Sequence, residues 1–525
     1  MDVKHGVTLE FDNAKRGKYF FVCGFMSGAD TLTEDDIFAE KAKICDRAKN
    51  KFNIQTPLKS LDILFNEFLV PQVANSRLYG RCGYYQTGGA VGFRDILQDC
   101  ICYMYTNPKE VKRVILDCAA HQYSEGDVQH WWHAPRHGVR TKISDDKLFL
   151  PYVATVYADY TGDTSIFSEK IEYLTSNMLN SDENSRYEIP EVTAFKETLL
   201  GHCERAITSA LKYGRHGLLD MGEGDWNDAI DKTKGESVWL TMFACVVLNR
   251  FKKYSERSQQ LSGEIIRMKT ALEKTFADDR FARLIKSDGK PLGVKGSEIE
   301  LDAISQAFSC FAGLSPSKVE KALETAFELY DADLKLLKLL TPSVKADSEL
   351  GYIADYPEGV RENGGQYTHG AIWLMLAYFK QGMLHKAFTL LNSLNPVQRL
   401  SDQKLNELYK GEPYVLPADI YSLGNLAGHM GWSWYTGSAS WYYTAVVYMF
   451  GINISQDTLT IKPHLPDEMD GSKIAFIHQG SNCKIEYHKS DSFCIAINGT
   501  RYLGIDTVKL ESGRSYLIDV YFPSY

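Results

Sequence analysis

Two carboxylates flank a Trp–Asn pair in the run Met221-Gly222-Glu223-Gly224-Asp225-Trp226-Asn227-Asp228. Gly222 and Gly224 free the backbone for angles closed to other residues. Trp226 offers a flat apolar face, and Asp225 and Asp228 can each give or take a proton. A sugar-processing site needs that combination: an aromatic platform for the ring and a carboxylic acid at the glycosidic oxygen. The same run also suits a helix start capped by Asp225 or Asp228.

Other loops share its character. Gln86-Thr87-Gly88-Gly89-Ala90-Val91-Gly92-Phe93-Arg94-Asp95 sets an Arg and an Asp beside glycines, and Glu125-Gly126-Asp127-Val128-Gln129-His130-Trp131-Trp132-His133 gathers acid, amide, imidazole and indole. Gly138-Val139-Arg140-Thr141 leads into Ser144-Asp145-Asp146. Arg361-Glu362-Asn363-Gly364-Gly365-Gln366-Tyr367-Thr368-His369 is too polar for a core, and Gly431-Trp432-Ser433-Trp434-Tyr435-Thr436-Gly437-Ser438-Ala439 puts hydroxyls next to aromatics. Taken singly, each has a bland counterpart. Trp131, Trp132 and His133 suit a plug in the core as well as a site. Arg94 and Asp95 could be a structural ion pair. Asp145 and Asp146 read as caps of the helix that follows, and Asp225 reads as orienting its loop.

The elements that must hold these loops are mainly helical from about residue 71 to 450. Residues 96–105 and 317–340 are two such segments, and 371–394 reads as a helical pair broken near Gly382. Strands hardly intervene, which favours a helical toroid or solenoid over βαβ alternation. No fixed-length repeat recurs, which favours the toroid. Residues 31–70 read as helix, with Thr33 as a cap and Asp35, Asp36 and Glu40 early. Residues 1–30 hold two strand-like runs, too few for a stable sheet. From about residue 455 the period becomes two, with strands expected at 458–461, 473–477, 483–487 and 494–497 and a turn at Asn498-Gly499.

A net charge of −9 without a basic patch argues against nucleic acid as a main partner. No apolar run approaches ~18 residues, so no membrane span is expected. The cysteines, 11 in number, are scattered in apolar runs and read as buried free thiols in a reducing, cytoplasmic compartment. Without clustered His or Cys ligands, neither a metal nor an organic cofactor is expected.

In joint order, these loops resemble the inverting glycoside phosphorylases of glycoside hydrolase family 94, the cellobiose and chitobiose phosphorylase family, from about residue 72 to the C-terminus. The Glu-Gly-Asp-Val-Gln-His-Trp-Trp-His and Gly-Val-Arg-Thr-x-x-Ser-Asp-Asp runs are most similar to its β-1,2-glucan branch of oligoglucan phosphorylases and cyclic glucan synthases. The resemblance implies a mainly α chain: a remnant of an N-terminal β-sandwich at 1–30, a helical linker at 31–70, an (α/α)6 catalytic barrel at 71–454 and a small antiparallel β domain at 455–525. It implies reversible phosphorolysis of a β-linked gluco-oligosaccharide to α-glucose 1-phosphate and a shortened acceptor, with phosphate as a substrate. Asp228 would be the general acid, its pKa raised by burial against Trp226. Arg94 and Asp95 would bind donor hydroxyls, and Trp226, Tyr356, Arg361 and Glu362 would line the sugar subsites. Phosphate would be held by His369, Ser438 and Arg81, with Arg77 as the alternative arginine. The family's sandwich contributes to a dimer, so a homodimer of this chain would be weakened by its loss.

A phosphorylase needs no base, because its anion is already charged; it needs donors and cations that hold that anion. An inverting β-glycosidase on the same barrel is the alternative. It requires a second carboxylate to activate water, for which Asp145 or Glu362 would serve. A third reading is an inactive carbohydrate-binding fragment.

Overall fold

Helices that are apolar all round alternate along the chain with helices that bury one stripe. In the computed structural model, which describes residues 42–43, 46–80, 88–434 and 436–523, helix Thr368–Lys380 is buried from Thr368 through Phe379. Val238–Phe251, Ala303–Ala312 and Ser438–Met449 are nearly as enclosed. Such helices belong in a core. Pro108–Ala119 instead buries Val111, Val114, Ile115 and Cys118, the spacing of a single apolar stripe.

The packing follows from these faces. Phe93–Asp99 packs against Phe149–Thr161, which packs against Val238–Phe251. Ala303–Ala312 follows, then Thr368–Lys380 and Ser438–Met449, and the last returns to Phe93–Asp99. One-sided helices lie against several of them: Ser258–Leu272 on Val238–Phe251, Pro316–Ala326 on Ala303–Ala312, and Leu384–Leu394 on Thr368–Lys380. The two-helix reading of 371–394 holds, with Gly382 at φ 72° in the turn between them.

Other expectations are corrected. The helix expected over 317–340 ends at Ala326, and a hairpin of Tyr330–Asp331 with Leu336–Leu337 follows. Its turn places Lys335 in the left-handed region at φ 47°, where a helix cannot continue. Strands are more frequent than expected. Val91–Gly92, Gln129–His133, His137–Thr141 and Ser185–Glu188 form a four-stranded sheet, and Lys170–Thr175 pairs with Glu191–Thr198. Within 31–70, Asn53–Gln55 is a strand on the edge of the C-terminal sheet.

Of the expected strands, Thr458–Ile461 lies in a three-stranded sheet with Ile452–Ser455 and Thr507–Lys509, and the larger C-terminal sheet contains the other three and the Asn498-Gly499 turn. It is mixed rather than antiparallel, because Ser481–Ser490 runs parallel to Ser515–Pro523. Ala48–Tyr525 forms one compact unit, and the sheet's inner residues join the helical core. The strands expected in 1–30 lie outside the described residues. Every described cysteine is free and buried. Among the described residues, no helix is long and apolar enough to cross a membrane.

Candidate active site

The polar loops of the sequence meet around a cavity of about 460 Å³ whose wall includes Arg94, Asp95, Trp226, Asp228, Tyr356, Arg361, Glu362 and His369. Each is placed by a local device that its own sequence supplies.

The loop that delivers Asp228 is pinned at its start. Ser237 caps helix Val238–Phe251, accepting from the Leu240 N–H at 2.9 Å, and its hydroxyl donates to Asp225 Oδ2 at 2.6 Å. Arg283 donates to both Asp225 oxygens at 2.6 and 2.7 Å, and both side chains are fully buried. Burial opposes the Asp225 charge, but Arg283 outweighs it and holds the carboxyl below its usual pKa. The Asn227 N–H donates to Asp225 Oδ1 at 3.0 Å and the Ala229 N–H to Asn227 Oδ1 at 3.2 Å, two successive Asx turns. Gly222 and Gly224 have φ of 63° and 140°, and a Cβ on Gly222 would sit 2.3 Å from the Lys142 carbonyl oxygen. Asp225 therefore anchors the loop, and Asp228 is the acid that reaches the cavity.

Asp228 belongs to an ion cluster. Arg94 donates to Asp228 Oδ1 and to Asp145 Oδ1, each at 2.6 Å, and to the carbonyls of Asp225 and Trp226 at 3.0 and 3.2 Å. Its Nε lies 3.5 Å from Asp146. Arg94 and Asp95 are thus not paired with each other. Arg94 braces the acid, whereas Asp95 faces Arg77 at 3.7 Å with its side chain 45% exposed. Asp145 and Asp146 were expected as helix caps. Neither makes a side-chain cap bond, because their carboxylates turn towards Arg94 and His130. Asp145 is fully buried, which removes it as a base that activates cavity water.

His130 had no assigned role in the sequence, yet it completes the cluster. Its Nδ1 lies 2.8 Å from Asp146 Oδ2 and its Nε2 3.6 Å from Asp228 Oδ2. Strict alternation along Gln129–His133 would face it away from Trp131. A register shift between Gln129 and Trp131 breaks the alternation, and His130, Trp131 and His133 all line the cavity. Trp132 is buried beneath, stacked on His121 at 3.8 Å.

The charge balance fixes one proton. Asp145, Asp146 and Asp228 face two cations, Arg94 and His130. Burial works against the His130 charge, but Asp146 and Asp228 outweigh it and lift the ring to about 9. Burial lifts Asp145 and Asp228 above the usual carboxylate range, against the pull of Arg94. The cluster is neutral when one carboxylate keeps its proton. Burial pushes Asp145 up to about 8 and raises Asp228 as well, so these two acids compete for it, and of the three only Asp228 lines the cavity.

The His130 shift predicts a pH-dependent stability. The folded state holds this proton more tightly than the unfolded chain, whose value is about 6.5. Stabilisation by the charged ring is therefore complete below about 6.5 and is lost as pH rises through about 9. In urea unfolding, the gap between wild type and His130→Gln should be widest at low pH and close on the alkaline side. A gap that stays constant with pH would contradict this.

Of the expected anion ligands, His369 lies in the remaining wall and Ser438 does not. Arg77, the alternative arginine, lies in it and pairs with Asp99 at 2.7 Å; Arg81 lies outside the described residues. His369 is packed among Trp226, Trp373 and Trp441, and burial pushes its pKa down to about 3. Burial thus disfavours the cationic ring, and its Nε2 has no hydrogen-bond partner among the described residues. Ser438, the first residue of helix Ser438–Met449, sits behind the wall. Its hydroxyl accepts from Thr436 Oγ1 at 3.1 Å, and Thr436 and Gly437 reach the cavity in its place. Arg361 ion-pairs with Glu362 at 3.2 Å and lies 4.4 Å over the Trp432 ring. Tyr367 and Trp432, which lie in the quoted runs without an assigned role, and Tyr352, which lies outside them, are further wall residues.

Residues 45–451 match the model of the glycosyl hydrolase 94 superfamily catalytic domain. The chain is 37% identical over 436 residues to a cyclic β-(1,2)-glucan synthase, NdvB, of Rhizobium meliloti, covering 80% of this chain and 15% of the synthase. It is 24% identical over 505 residues to an N,N'-diacetylchitobiose phosphorylase of Vibrio furnissii, covering 87% of this chain and 60% of that enzyme. A 1,2-β-oligoglucan phosphorylase of Listeria innocua is 21% identical over 473 residues, covering 79% of this chain and 41% of that enzyme. A solved GH78 rhamnosidase of Bacillus sp. GL1 shares the fold at a TM-score of 0.54 and 12% identity, covering 90% of this chain and 44% of its own.

Proposed function

Because the chain belongs to the glycosyl hydrolase 94 superfamily, we propose that it catalyses inverting phosphorolysis of a β-linked gluco-oligosaccharide, with Asp228 as general acid. The cycle of helices from Phe93–Asp99 to Ser438–Met449 is then the inner ring of an (α/α)6 barrel, with the one-sided helices outside it.

The observation that carries this reading is the ion cluster with one proton to hold and one carboxyl, Asp228, open to the cavity. Asp228 would give that proton to the glycosidic oxygen as the bond to the anomeric carbon breaks. A phosphate oxygen would form the new bond to that carbon from the other face, so a β linkage becomes α-glucose 1-phosphate. The acceptor leaves one unit shorter, with the proton on its new hydroxyl. The Asp228 carboxylate left behind is met by Arg94 at 2.6 Å and His130 at 3.6 Å. The proton that hydrogen phosphate gives up as it becomes the sugar phosphate restores it through solvent, and in the reverse reaction the carboxylate takes the acceptor hydroxyl's proton instead. Phosphate would be held by Arg77, by His369 and by Thr436 and Gly437, with Ser438 supporting Thr436 from behind. Trp226, Tyr356, Arg361 and Glu362 would bound the sugar subsites, and Asp95, ionised beside Arg77, would accept from donor hydroxyls.

The test is incubation with β-1,2-, β-1,3- and β-1,4-linked gluco-oligosaccharides with and without phosphate. Glucose 1-phosphate should form only when phosphate is present. Free glucose released without phosphate would replace this mechanism by hydrolysis. His369→Ala should raise the KM for phosphate about tenfold, the loss of one hydrogen bond to a charged group. An unchanged phosphate KM would show that the anion lies elsewhere.

A further inference from the structure

One row of side chains leads from the cavity wall out to solvent. Cross-strand pairing sets Gly92 opposite Trp131, Trp131 opposite Val139, and Val139 opposite Tyr187. Directly paired residues point to the same face of a sheet. Gly92 and Trp131 line the cavity, so Val139 and Tyr187 continue that face beyond it. The Trp131 and Tyr187 rings lean together over Val139, with centroids 5.8 Å apart and planes tilted by 41°. Tyr187 is nonetheless 57% exposed. The Trp131 and Tyr187 backbones lie two strand spacings apart, roughly 9.6 Å, but their rings close to 5.8 Å and so form a platform the size of about one sugar ring beyond the cavity. An exposed aromatic face continuous with a sugar-sized cavity suits the apolar face of a pyranose, which stacks on Trp and Tyr rings.

We infer that Trp131, Val139 and Tyr187 form an outer subsite that binds the acceptor end of an extended β-linked gluco-oligosaccharide, so that the enzyme favours chains longer than a disaccharide. This rests on the proposed phosphorolysis for its kinetic consequence but not for its binding consequence, and two measurements separate them.

The first is calorimetric binding of β-1,2-linked glucose oligosaccharides of two to five units to the Asp228→Asn protein, without phosphate. Affinity should rise with length, and adding Tyr187→Ala should remove that rise, whereas Tyr187→Phe, which keeps the ring, should retain it. The second is phosphorolysis of the same series by otherwise wild-type protein. Tyr187→Ala should lower the ratio of kcat/KM for four units to that for two units about tenfold, the worth of one stacking contact. If no chain yields glucose 1-phosphate, the proposed reaction fails while length-dependent binding still supports the subsite. If Tyr187→Ala changes neither the length dependence of binding nor that ratio, the subsite is overturned. It is also overturned if sedimentation shows Tyr187→Ala turning a dimer into a monomer, because the row would then be a contact between two copies of this chain.

Discussion

Asp228→Asn should lower phosphorolysis of an unactivated oligosaccharide about 10²- to 10⁴-fold, the usual contribution of a general acid. The change is nearly isosteric, and it should leave the fold intact for a specific reason. Without the Asp228 carboxyl, the cluster holds Asp145 and Asp146 against Arg94 and His130, which balances without a proton. Arg94 keeps Asp145 and the carbonyls of Asp225 and Trp226. The loss should nearly vanish on a β-glucoside with a dinitrophenolate leaving group, which departs without a proton. The pH profile gives the same information. Burial raises the Asp228 pKa, and only its protonated form can act, so wild-type kcat/KM should fall as pH climbs through that value. The Asn variant should lack that limb. Full activity of Asp228→Asn on an unactivated substrate would remove Asp228 from the role of acid.

Arg283→Met should destabilise the protein by about 3–5 kcal/mol, the cost of leaving one partner of a buried ion pair uncompensated. Arg283 has no exposed surface, and it is the cation that holds Asp225 below the usual carboxylate range. Removing it leaves Asp225 with the Ser237 hydroxyl and the Asn227 N–H. Asp225 would then take up a proton or draw in water, and the Asx turns that aim Asp228 would loosen. The double variant Arg283→Met/Asp225→Asn removes both charges of the pair and should recover part of the stability, the remainder reflecting Asp302, which lies 3.6 Å from Arg283 and loses that cation in both variants. Urea unfolding of the single and double variants measures this. Equal losses in both would show that the charge pair is not the cause.

Much of the site was legible because it lies in contiguous runs. Trp226 and Asp228 sit two residues apart between turn-forming neighbours, and Arg361, Glu362 and His369 share one polar run, so their chemistry could be read without knowing the fold. Helix Thr368–Lys380 was equally clear, since a long apolar segment broken at Gly382 has few other solutions. His130 was hidden because the bulge that turns it into the cavity leaves no periodic trace. Ser185–Glu188 and Glu191–Thr198 were missed because they are mostly exposed, without the apolar alternation that marks a half-buried strand. Lys170–Thr175 does bury Ile171 and Tyr173 in alternation, but Leu174 breaks the pattern after four residues.

The amino-acid order alone determined which residue types could do chemistry: a carboxylic acid beside an indole, and donors suited to an anion. It also determined the helical character of the chain, because turn residues and apolar periodicity act over a few neighbours. Tertiary structure decided the rest. It turned Asp145 and Asp146 from caps into the partners of Arg94 and His130, made Arg94 a brace for Asp228, and buried His369 so that its pKa is pushed down. Protonation and pairing depend on burial and on charges brought from distant segments. Asp228 and Arg94 are 134 residues apart in the chain but 2.6 Å apart in the fold.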